Sequence, residues 1–347
     1  MKKVLCTIGA SALLASTVAT AEELSVVGSW SGLPLHKQYE APFWTDKVTK
    51  STDGKITAKL TTHDQMGIKG GDVFRMLGEG VFDVGMTVAD YAVSDSVALE
   101  SLDVPLLAAD AATAKKMVDA ARPMVDEIYA KVFNAKVLGI APYPPQVVFC
   151  NATITKLDDL KGKKIRASGR MTAKLLEALG AESVSVGFGE VPGALQRGVV
   201  DCAVTGAGSG YSAGWWEVST HLMPIPLGGW DPVVTAINMD KWKTLSAEAQ
   251  TSLQAAVTAE LEAPAWETAQ DALKNDIACL TGNGDCPSGE KRSMTLVEAT
   301  EADTKASRDV LINQVLPDWA KRAGGDWAKR WNDSVGKVVD VTIPEPK

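Results

Sequence analysis

Short, strand-like segments alternate with helix-like segments along much of the chain. The strand-like segments are residues 24–28, 55–61, 81–88, 136–140, 146–151, 163–167, 183–186 and 199–204. Helical spacing of apolar residues lies between them, at 43–51, 72–77, 111–132, 172–179 and 190–197. Strands that are separated by helices usually pair in parallel, because each helix carries the chain back across the sheet. The pattern therefore predicts an α/β fold.

A run of prolines marks a boundary in this alternation. Pro142, Pro144 and Pro145 follow the strand-like segment 136–140. Proline blocks regular secondary structure and stiffens a connection, so this segment is predicted to cross between two domains. The chain length of 347 residues also suggests about two domains.

The C-terminal third has a helical rather than an alternating pattern. Ser246 is placed to cap a long amphipathic helix, which Pro264 is expected to kink or break. Residues 295–316 and 326–335 are predicted to form two further helices.

The N-terminus has the pattern of an export signal. Lys2 and Lys3 precede a short apolar stretch at 4–14, and Ala19-Thr20-Ala21 resembles an A-x-A cleavage site. This arrangement predicts a secretory signal peptide over residues 1–21 and a soluble product in the periplasm. An uncleaved N-terminal helix is the alternative.

Composition excludes several classes of partner. The chain carries 35 Lys+Arg and 43 Asp+Glu, a formal net charge of −8. Proteins that bind nucleic acid usually present a basic face, so no nucleic-acid partner is expected. A mean hydropathy near zero argues against a protein with several membrane spans.

The cysteines fit an oxidising compartment. Cys6 would leave with the signal peptide, and the remaining four residues allow three full pairings. Cys279 and Cys286 flank a turn-rich segment that could close a small disulfide loop. In that case Cys150 either pairs with Cys202 or both remain buried thiols.

Motifs for metals, cofactors and catalysis are weak. The three histidines lack metal-binding spacing and no C-x-x-C occurs, so no metal site is expected. Residues 208–213 match G-x-G-x-x-A, but far from the first βα unit of a dinucleotide fold, so no cofactor is expected. Residues 210–214 match the G-x-S-x-G elbow of serine hydrolases around Ser212, with only His221 following it. An exported hydrolase is kept as an alternative function.

Three residues are candidates for contact with a ligand. Trp30 and Trp230 each follow a strand-like run, among Gly and Ser, where α/β proteins form binding clefts. Packing within the loop is the alternative for each of them. Arg166 ends a short strand-like segment, and a buried guanidinium there needs an anionic partner. Its planar fork suits a carboxylate or sulfonate, although an internal Asp or Glu could also fill that role.

Several sequence blocks resemble the TRAP-type (tripartite ATP-independent periplasmic) solute-binding proteins. The central blocks are Lys161-Gly162-Lys163-Lys164-Ile165-Arg166, Leu179-Gly180-Ala181, Glu190-Val191 and Ala194-Leu195-Gln196-Arg197-Gly198-Val199-Val200-Asp201. Further similarity lies at Gly54-Lys55-Ile56, at 80–85, at Glu217-Val218 and at Asn238-Met239-Asp240. The resemblance covers most of the chain after residue 21.

The resemblance implies an α/β protein of two lobes, each a mixed, mostly parallel sheet flanked by helices, with long C-terminal helices. Residues 22–143 with about 232–275 would form the first lobe. Residues 144–231 with about 276–347 would form the second. Such a protein is not an enzyme. It binds a small organic anion by hinge closure and delivers it to a membrane permease driven by an ion gradient, and Arg166 would hold the anion.

The sequence also departs from the family pattern. Gln146 occupies a position where many relatives have a second arginine, and Thr205 falls where many have an asparagine. Asp231, next to Trp230, could accept a hydrogen bond from a ligand hydroxyl or amine, or could contact a metal ion. An ordinary turn residue is the alternative. A binding protein for an ATP-driven importer or a sensor is the alternative within the same architecture.

Overall fold

The computed structural model describes residues 21–346. The predicted signal peptide lies outside the described residues, except for Ala21 at its end. No helix within the described range has both the length and the apolar character needed to cross a bilayer.

The described residues form two β-sheets flanked by helices. The strands are β1 (Glu22–Gly28), β2 (Ile56–Thr62), β3 (Val84–Val88), β4 (Ala135–Ala141), β5 (Gln146–Cys150), β6 (Lys164–Arg166), β7 (Glu182–Val184), β8 (Cys202–Gly206), β9 (His221–Met223), β10 (Val233–Asn238) and β11 (Thr295–Leu296). The α-helices are α1 (Val48–Ser51), α2 (Val73–Gly78), α3 (Ala111–Val132), α4 (Arg170–Ala178), α5 (Val191–Gln196), α6 (Ala207–Ser212), α7 (Met239–Thr244), α8 (Ala247–Val257), α9 (Ala263–Thr281), α10 (Glu301–Val310), α11 (Leu316–Ala323), α12 (Trp327–Trp331) and α13 (Lys337–Val339).

Shorter helical turns complete the elements. The π-helical turns are His36–Glu40, Phe43–Lys47, Thr258–Glu262, Leu311–Val315 and Asn332–Gly336. The 3₁₀ turns are Gly70–Asp72, Ala89–Ala92, Val97–Leu102, Leu157–Leu160, Phe188–Glu190 and Trp215–Glu217.

The first sheet has the strand order β2-β1-β3-β10-β4. β1 is parallel to β2 and β3, whereas β10 is antiparallel to both of its neighbours. Parallel pairing therefore accounts for half of this sheet. The antiparallel strand β10 belongs to a late part of the chain that returns to the first sheet. We call the part of the molecule built on this sheet the first lobe.

The second sheet has the order β11-β9-β5-β8-β6-β7 and defines the second lobe. β6 is parallel to β7 and β8, and β11 is parallel to β9. β5 is antiparallel to β8 and β9. The predicted α/β architecture with two mixed sheets is confirmed.

One long helix runs through residues 247–281, so the predicted break at Pro264 is wrong, whereas the predicted kink stays a prediction. Ser246 caps the helix as predicted, because its Oγ accepts the backbone N–H of Ala249 at 3.2 Å. A π-helical turn, in which Ala263 donates its N–H to Thr258 O, lies directly before Pro264. Such a turn accommodates an interruption of the regular backbone ladder, so the helix continues past the proline.

The predicted helix at 295–316 begins later than its periodicity indicated. Thr295 and Leu296 form β11, and α10 starts after Thr300. Thr300 and Asp303 form a capping box, in which each side chain accepts the other's backbone N–H.

The C-terminal helices also contact the first lobe. Trp319 Nε1 donates to Val97 O at 3.0 Å, and Arg330 forms an ion pair with Glu127 on α3 at 2.7 Å. The lobe boundaries given above stay a prediction.

Both predicted disulfides are present. Cys150 and Cys202 are direct partners on β5 and β8, and the bond links residues that are 52 apart. Cys279 and Cys286 close the short turn after α9. The alternative of free thiols at Cys150 and Cys202 is wrong.

Candidate functional site

Strand ends from the two sheets meet where the chain crosses between the lobes. In the second sheet, β6 and β8 are parallel and end at Arg166 and Gly206, where β5 begins. In the first sheet, β3 ends opposite the start of β10. The connections at 142–145 and 224–232 join these two edges. The edge where parallel strands end is the usual place for a ligand in α/β proteins.

Arg166 is buried at this edge, with only 2 % of its surface exposed. Its Nε donates to Val186 O at 3.0 Å, and a terminal nitrogen donates to Val204 O at 2.9 Å. These bonds use two of the five N–H donors of the guanidinium. Within residues 21–346, no carboxylate lies within 4.0 Å of it. The internal salt bridge considered from the sequence is therefore absent in the described part of the chain.

Burial and the neighbouring side chains shift the pKa of Arg166 in opposite directions. Burial lowers the pKa of its guanidinium, whereas Tyr91 and Asp231 favour the charged form. Burial also raises the pKa of the Tyr91 hydroxyl, and the nearby guanidinium lowers it. Tyr91 follows β3 in the first lobe, so it brings the first lobe up to the arginine of the second.

Aromatic rings extend from Arg166 to the first lobe. The guanidinium carbon lies 6.0 Å from the centre of the Trp215 ring, within the range of a cation–π contact. Phe188 lies 5.4 Å from Trp215 and 5.3 Å from Trp30, between ring centres. The structure therefore brings Trp30 close to the Arg166 side of the second lobe.

The sequence analysis missed Tyr91, Phe188 and Trp215. A signal existed for Phe188, which lies between two glycines after β7, in the same context that singled out Trp30. Tyr91 follows a strand in the same way, but without flanking glycines.

Three carboxyl groups lie on the first-lobe side of the crossing. Asp103 Oδ1 accepts the backbone N–H of Asp231 at 2.7 Å. Burial and the neighbouring Asp231 raise the pKa of Asp103 to about 8. Burial and Asp90 raise the pKa of Asp231 to about 7, although Arg166 lowers it. Asp90 is itself buried, which raises its pKa well above the ordinary value.

Thr205 and Gln146 lie on opposite faces of the second sheet. Arg166 is paired with Ala203, so Thr205, two residues later, lies on the same face as the arginine. Gln146 lies on the other face, where its Nε2 is 3.5 Å from Asp103 Oδ2. The structure therefore brings Thr205 to the side of Arg166 and connects Gln146 to the carboxyl groups instead.

Trp230 packs against residues of the first lobe. It is 7 % exposed, its Nε1 donates to Ala108 O at 3.3 Å, and its ring lies 6.3 Å from that of Trp266. These contacts anchor the ring on the first-lobe side, and a Trp230 wall over the ligand stays a prediction. Position after a strand does not fix which way a side chain points.

The weak enzyme motifs have structural explanations. Ser212 is exposed at the C-terminal end of α6, not at a strand-to-helix turn, and His221 Nδ1 is 2.7 Å from Thr220 Oγ1. A side chain at Gly208 would collide with the Asp276 carboxyl group, and one at Gly210 with the Phe149 ring. The glycines therefore permit close packing.

A cleft of about 200 Å³ is lined by residues of both lobes, and Arg166 is not among them. Its lining includes Gln38, Tyr39, Tyr143, Ser209 and Asp276. Within residues 21–346, no group of three or more His, Cys, Asp or Glu residues could hold a metal ion.

The buried Asp276 should make the stability of the protein depend on pH. Burial raises its pKa to about 7, so between pH 4 and 7 the folded protein holds a proton that the unfolded chain has released. The free energy of unfolding should fall as pH rises through this window, by up to about 1.4 kcal/mol per pH unit from this group. Asp276→Asn should remove that share in denaturant titrations at pH 5 and 7. The exposed Asp271→Asn on the same helix is the control, and equal pH slopes for Asp276→Asn and wild type would contradict the prediction.

Comparison with known proteins identifies the family. A family model described as bacterial extracellular solute-binding protein, family 7, matches residues 31–315. The chain belongs to this family. The resemblance to TRAP-type solute-binding proteins is thereby confirmed.

Known relatives match this chain over different shares of its length. The 2,3-diketo-L-gulonate-binding periplasmic protein YiaO of Escherichia coli is 27 % identical over 80 % of this chain and 81 % of its own. The ectoine-binding periplasmic protein TeaA of Halomonas elongata is 30 % identical over 39 % of this chain and 40 % of its own. A solute-binding protein of Sulfitobacter is 26 % identical over 50 % of this chain. That match spans about half of the Sulfitobacter protein, 54 % of its length.

Solved structures share the fold. An extracytoplasmic solute receptor of Bordetella pertussis that binds pyroglutamic acid has a TM-score of 0.79 at 23 % identity, over 91 % of this chain and 99 % of its own. A TRAP periplasmic solute-binding protein of Rhodoferax ferrireducens with bound malonate has a TM-score of 0.77 at 17 % identity, over 91 % and 98 %. The two-lobed fold of the family is thus present.

Proposed function

We propose that this protein captures a small organic anion between its lobes and delivers it to a TRAP-type permease. The observation that supports this function most directly is the buried Arg166 guanidinium, which has no carboxylate of the described chain within 4.0 Å. Burying a charge that has no ion-pair partner costs several kcal/mol, so an anionic ligand would stabilise the site.

Direct contacts between the lobes support capture by closure. Asp90 of the first lobe accepts the backbone N–H of Arg170 in the second lobe at 2.9 Å. Trp30 and Phe188 meet across the same boundary. Three segments link the two sheets: residues 142–145, residues 224–232 and the long helix 247–281. These connections would act as the hinge about which the lobes open.

The relatives favour the same class of ligand. Their names record binding of 2,3-diketo-L-gulonate, ectoine and pyroglutamic acid, and a further structure contains malonate. By analogy with these relatives, we propose that this chain also captures an organic acid and also lies in the periplasm. We further propose that it has no catalytic activity. The permease would supply the energy from an ion gradient.

A ligand screen tests the function. The protein exported to the periplasm is purified and melted in the presence of small carboxylates and sulfonates. At one hundred times its Kd, a ligand adds about 2.7 kcal/mol to the free energy of unfolding and should raise the Tm by several degrees. An unchanged Tm with every organic anion would count against the proposed function.

Gly169→Ala tests the closed arrangement. A side chain at Gly169 would collide with the Asp90 carboxyl group, which belongs to the other lobe. The substitution should therefore disfavour closure and weaken ligand affinity by about tenfold or more, which is about 1.4 kcal/mol. Calorimetric titration measures the change. Gly189→Ala is the control, because its added carbon meets open space, and equal affinities for the two variants would contradict closure at this contact.

A further inference from the structure

The carboxyl group of Asp231 is held in place but left without a partner. Its backbone is in the left-handed region, at φ 45°, and its N–H is fixed by Asp103 Oδ1 at 2.7 Å. Within the described residues, its carboxylate oxygens accept no hydrogen bond and form no ion pair. The backbone therefore presents an acidic group whose binding capacity is unused.

Other unused polar atoms lie around the same crossing. Asp90 Oδ1 and Gln146 Oε1 are fully buried without a hydrogen-bond partner in the described chain. Asp90 is 4 % exposed and Gln146 is inaccessible to solvent. Buried oxygens without partners are costly, so these two atoms indicate that a donor is missing from this part of the protein. Both are acceptors, like Asp231.

The site therefore has hydrogen-bond donors on one side and carboxyl acceptors on the other. Arg166 presents N–H donors from the second lobe, whereas Asp231 and Asp90 present acceptors from the first. Asp231 lies close enough to Arg166 for each to alter the pKa of the other. Even so, their charged groups are more than 4.0 Å apart, because they form no ion pair. Within the described residues, neither group is therefore satisfied by the other, and both keep capacity for a ligand.

We infer that the ligand is a small zwitterion, whose carboxylate binds Arg166 and whose cationic nitrogen binds Asp231. This inference rests on the proposed function and specifies its substrate class. A dicarboxylate would bring a further negative charge to Asp231, Asp103 and Asp90, so these carboxyl groups would have to stay protonated to accommodate it. A simple monocarboxylate would leave the acceptors of the first lobe unpartnered. An amino acid, imino acid or cyclic amidine carboxylate satisfies both sides.

Matched probes separate these ligand classes. We would titrate the protein with L-proline and ectoine as zwitterions, L-pyroglutamate and cyclopentanecarboxylate as monoanions, and succinate as a dianion. A zwitterion should bind at least tenfold more tightly than the monoanions and succinate. Tighter binding of a monoanion or of succinate would overturn the inference while supporting the proposed function. Failure of all five probes would count against both.

The variant Asp231→Asn tests the residue itself. Asparagine tolerates the left-handed backbone, so the fold should be kept. Affinity for the zwitterion should fall at least tenfold, whereas affinity for the monoanions should stay within twofold or improve. Equal losses for zwitterions and monoanions would overturn the assignment of Asp231. Asp53→Asn is the matched control, because Asp53 is exposed and also has a positive φ, of 50°.

Discussion

Replacing Arg166 by alanine should abolish high-affinity binding of every organic anion. Removing one partner from a buried, hydrogen-bonded charge pair costs about 2–5 kcal/mol. Such a loss is roughly a 30-fold to several-thousandfold rise in Kd. The buried guanidinium lies at the facing strand ends, and no carboxylate of residues 21–346 forms an ion pair with it. Calorimetric titration of wild type and variant with the same anion measures the effect.

Two further variants make the result interpretable. Arg166→Lys keeps the charge but loses the planar fork, so its affinity should lie between those of wild type and the alanine variant. Arg197→Ala removes an exposed arginine of the same lobe and should leave affinity unchanged. Circular dichroism checks the fold, because Arg166→Ala leaves Val186 O and Val204 O without their donors. Unchanged affinity in a folded Arg166→Ala protein would remove the basis of the proposed function.

The position of Arg166 could be predicted because it depends on a local feature. A short apolar strand that ends in a charged residue places that residue at the edge of the sheet, whatever the rest of the fold does. The same reasoning placed Trp30 after a strand end, where its ring lies 5.3 Å from that of Phe188 in the other lobe. It did not show that Trp230 Nε1 donates to Ala108 O, in a segment more than a hundred residues away. Contacts of that range cannot be deduced from local pattern.

The acidic side of the site was largely hidden from the sequence. Asp231 was singled out, but Asp103 and Asp90 lie in irregular turns with no motif around them. Their importance arises only when β10 inserts next to β3 and brings Asp231 to Asp103. Strand order is set by tertiary packing, so periodicity gave the α/β class but neither this insertion nor the pairing of two buried carboxyl groups.

Removing the disulfide between Cys150 and Cys202 should destabilise the protein much more than removing the other one. A disulfide restricts the unfolded chain, and the restriction grows with the length of the closed loop. The 52-residue separation corresponds to about 4 kcal/mol, and the 7-residue separation of Cys279 and Cys286 to about 2.5 kcal/mol. Cys150 and Cys202 are also completely buried between β5 and β8, so alanine at both positions adds the cost of a cavity.

Denaturant unfolding of the two double-alanine variants measures the difference directly. Cys150→Ala/Cys202→Ala should unfold at a lower denaturant concentration than Cys279→Ala/Cys286→Ala, with the gap exceeding about 1.5 kcal/mol. Reduction of the wild-type protein under denaturing conditions, followed by refolding with blocked thiols, removes both disulfides together. It measures their joint contribution to the free energy of unfolding without substitutions. Equal losses in the two variants would mean that loop length does not govern their stabilisation. In that case the Cys150–Cys202 disulfide would stabilise the protein through contacts in the folded state. Those contacts lie between β5, which contains Gln146, and β8, which contains Val204.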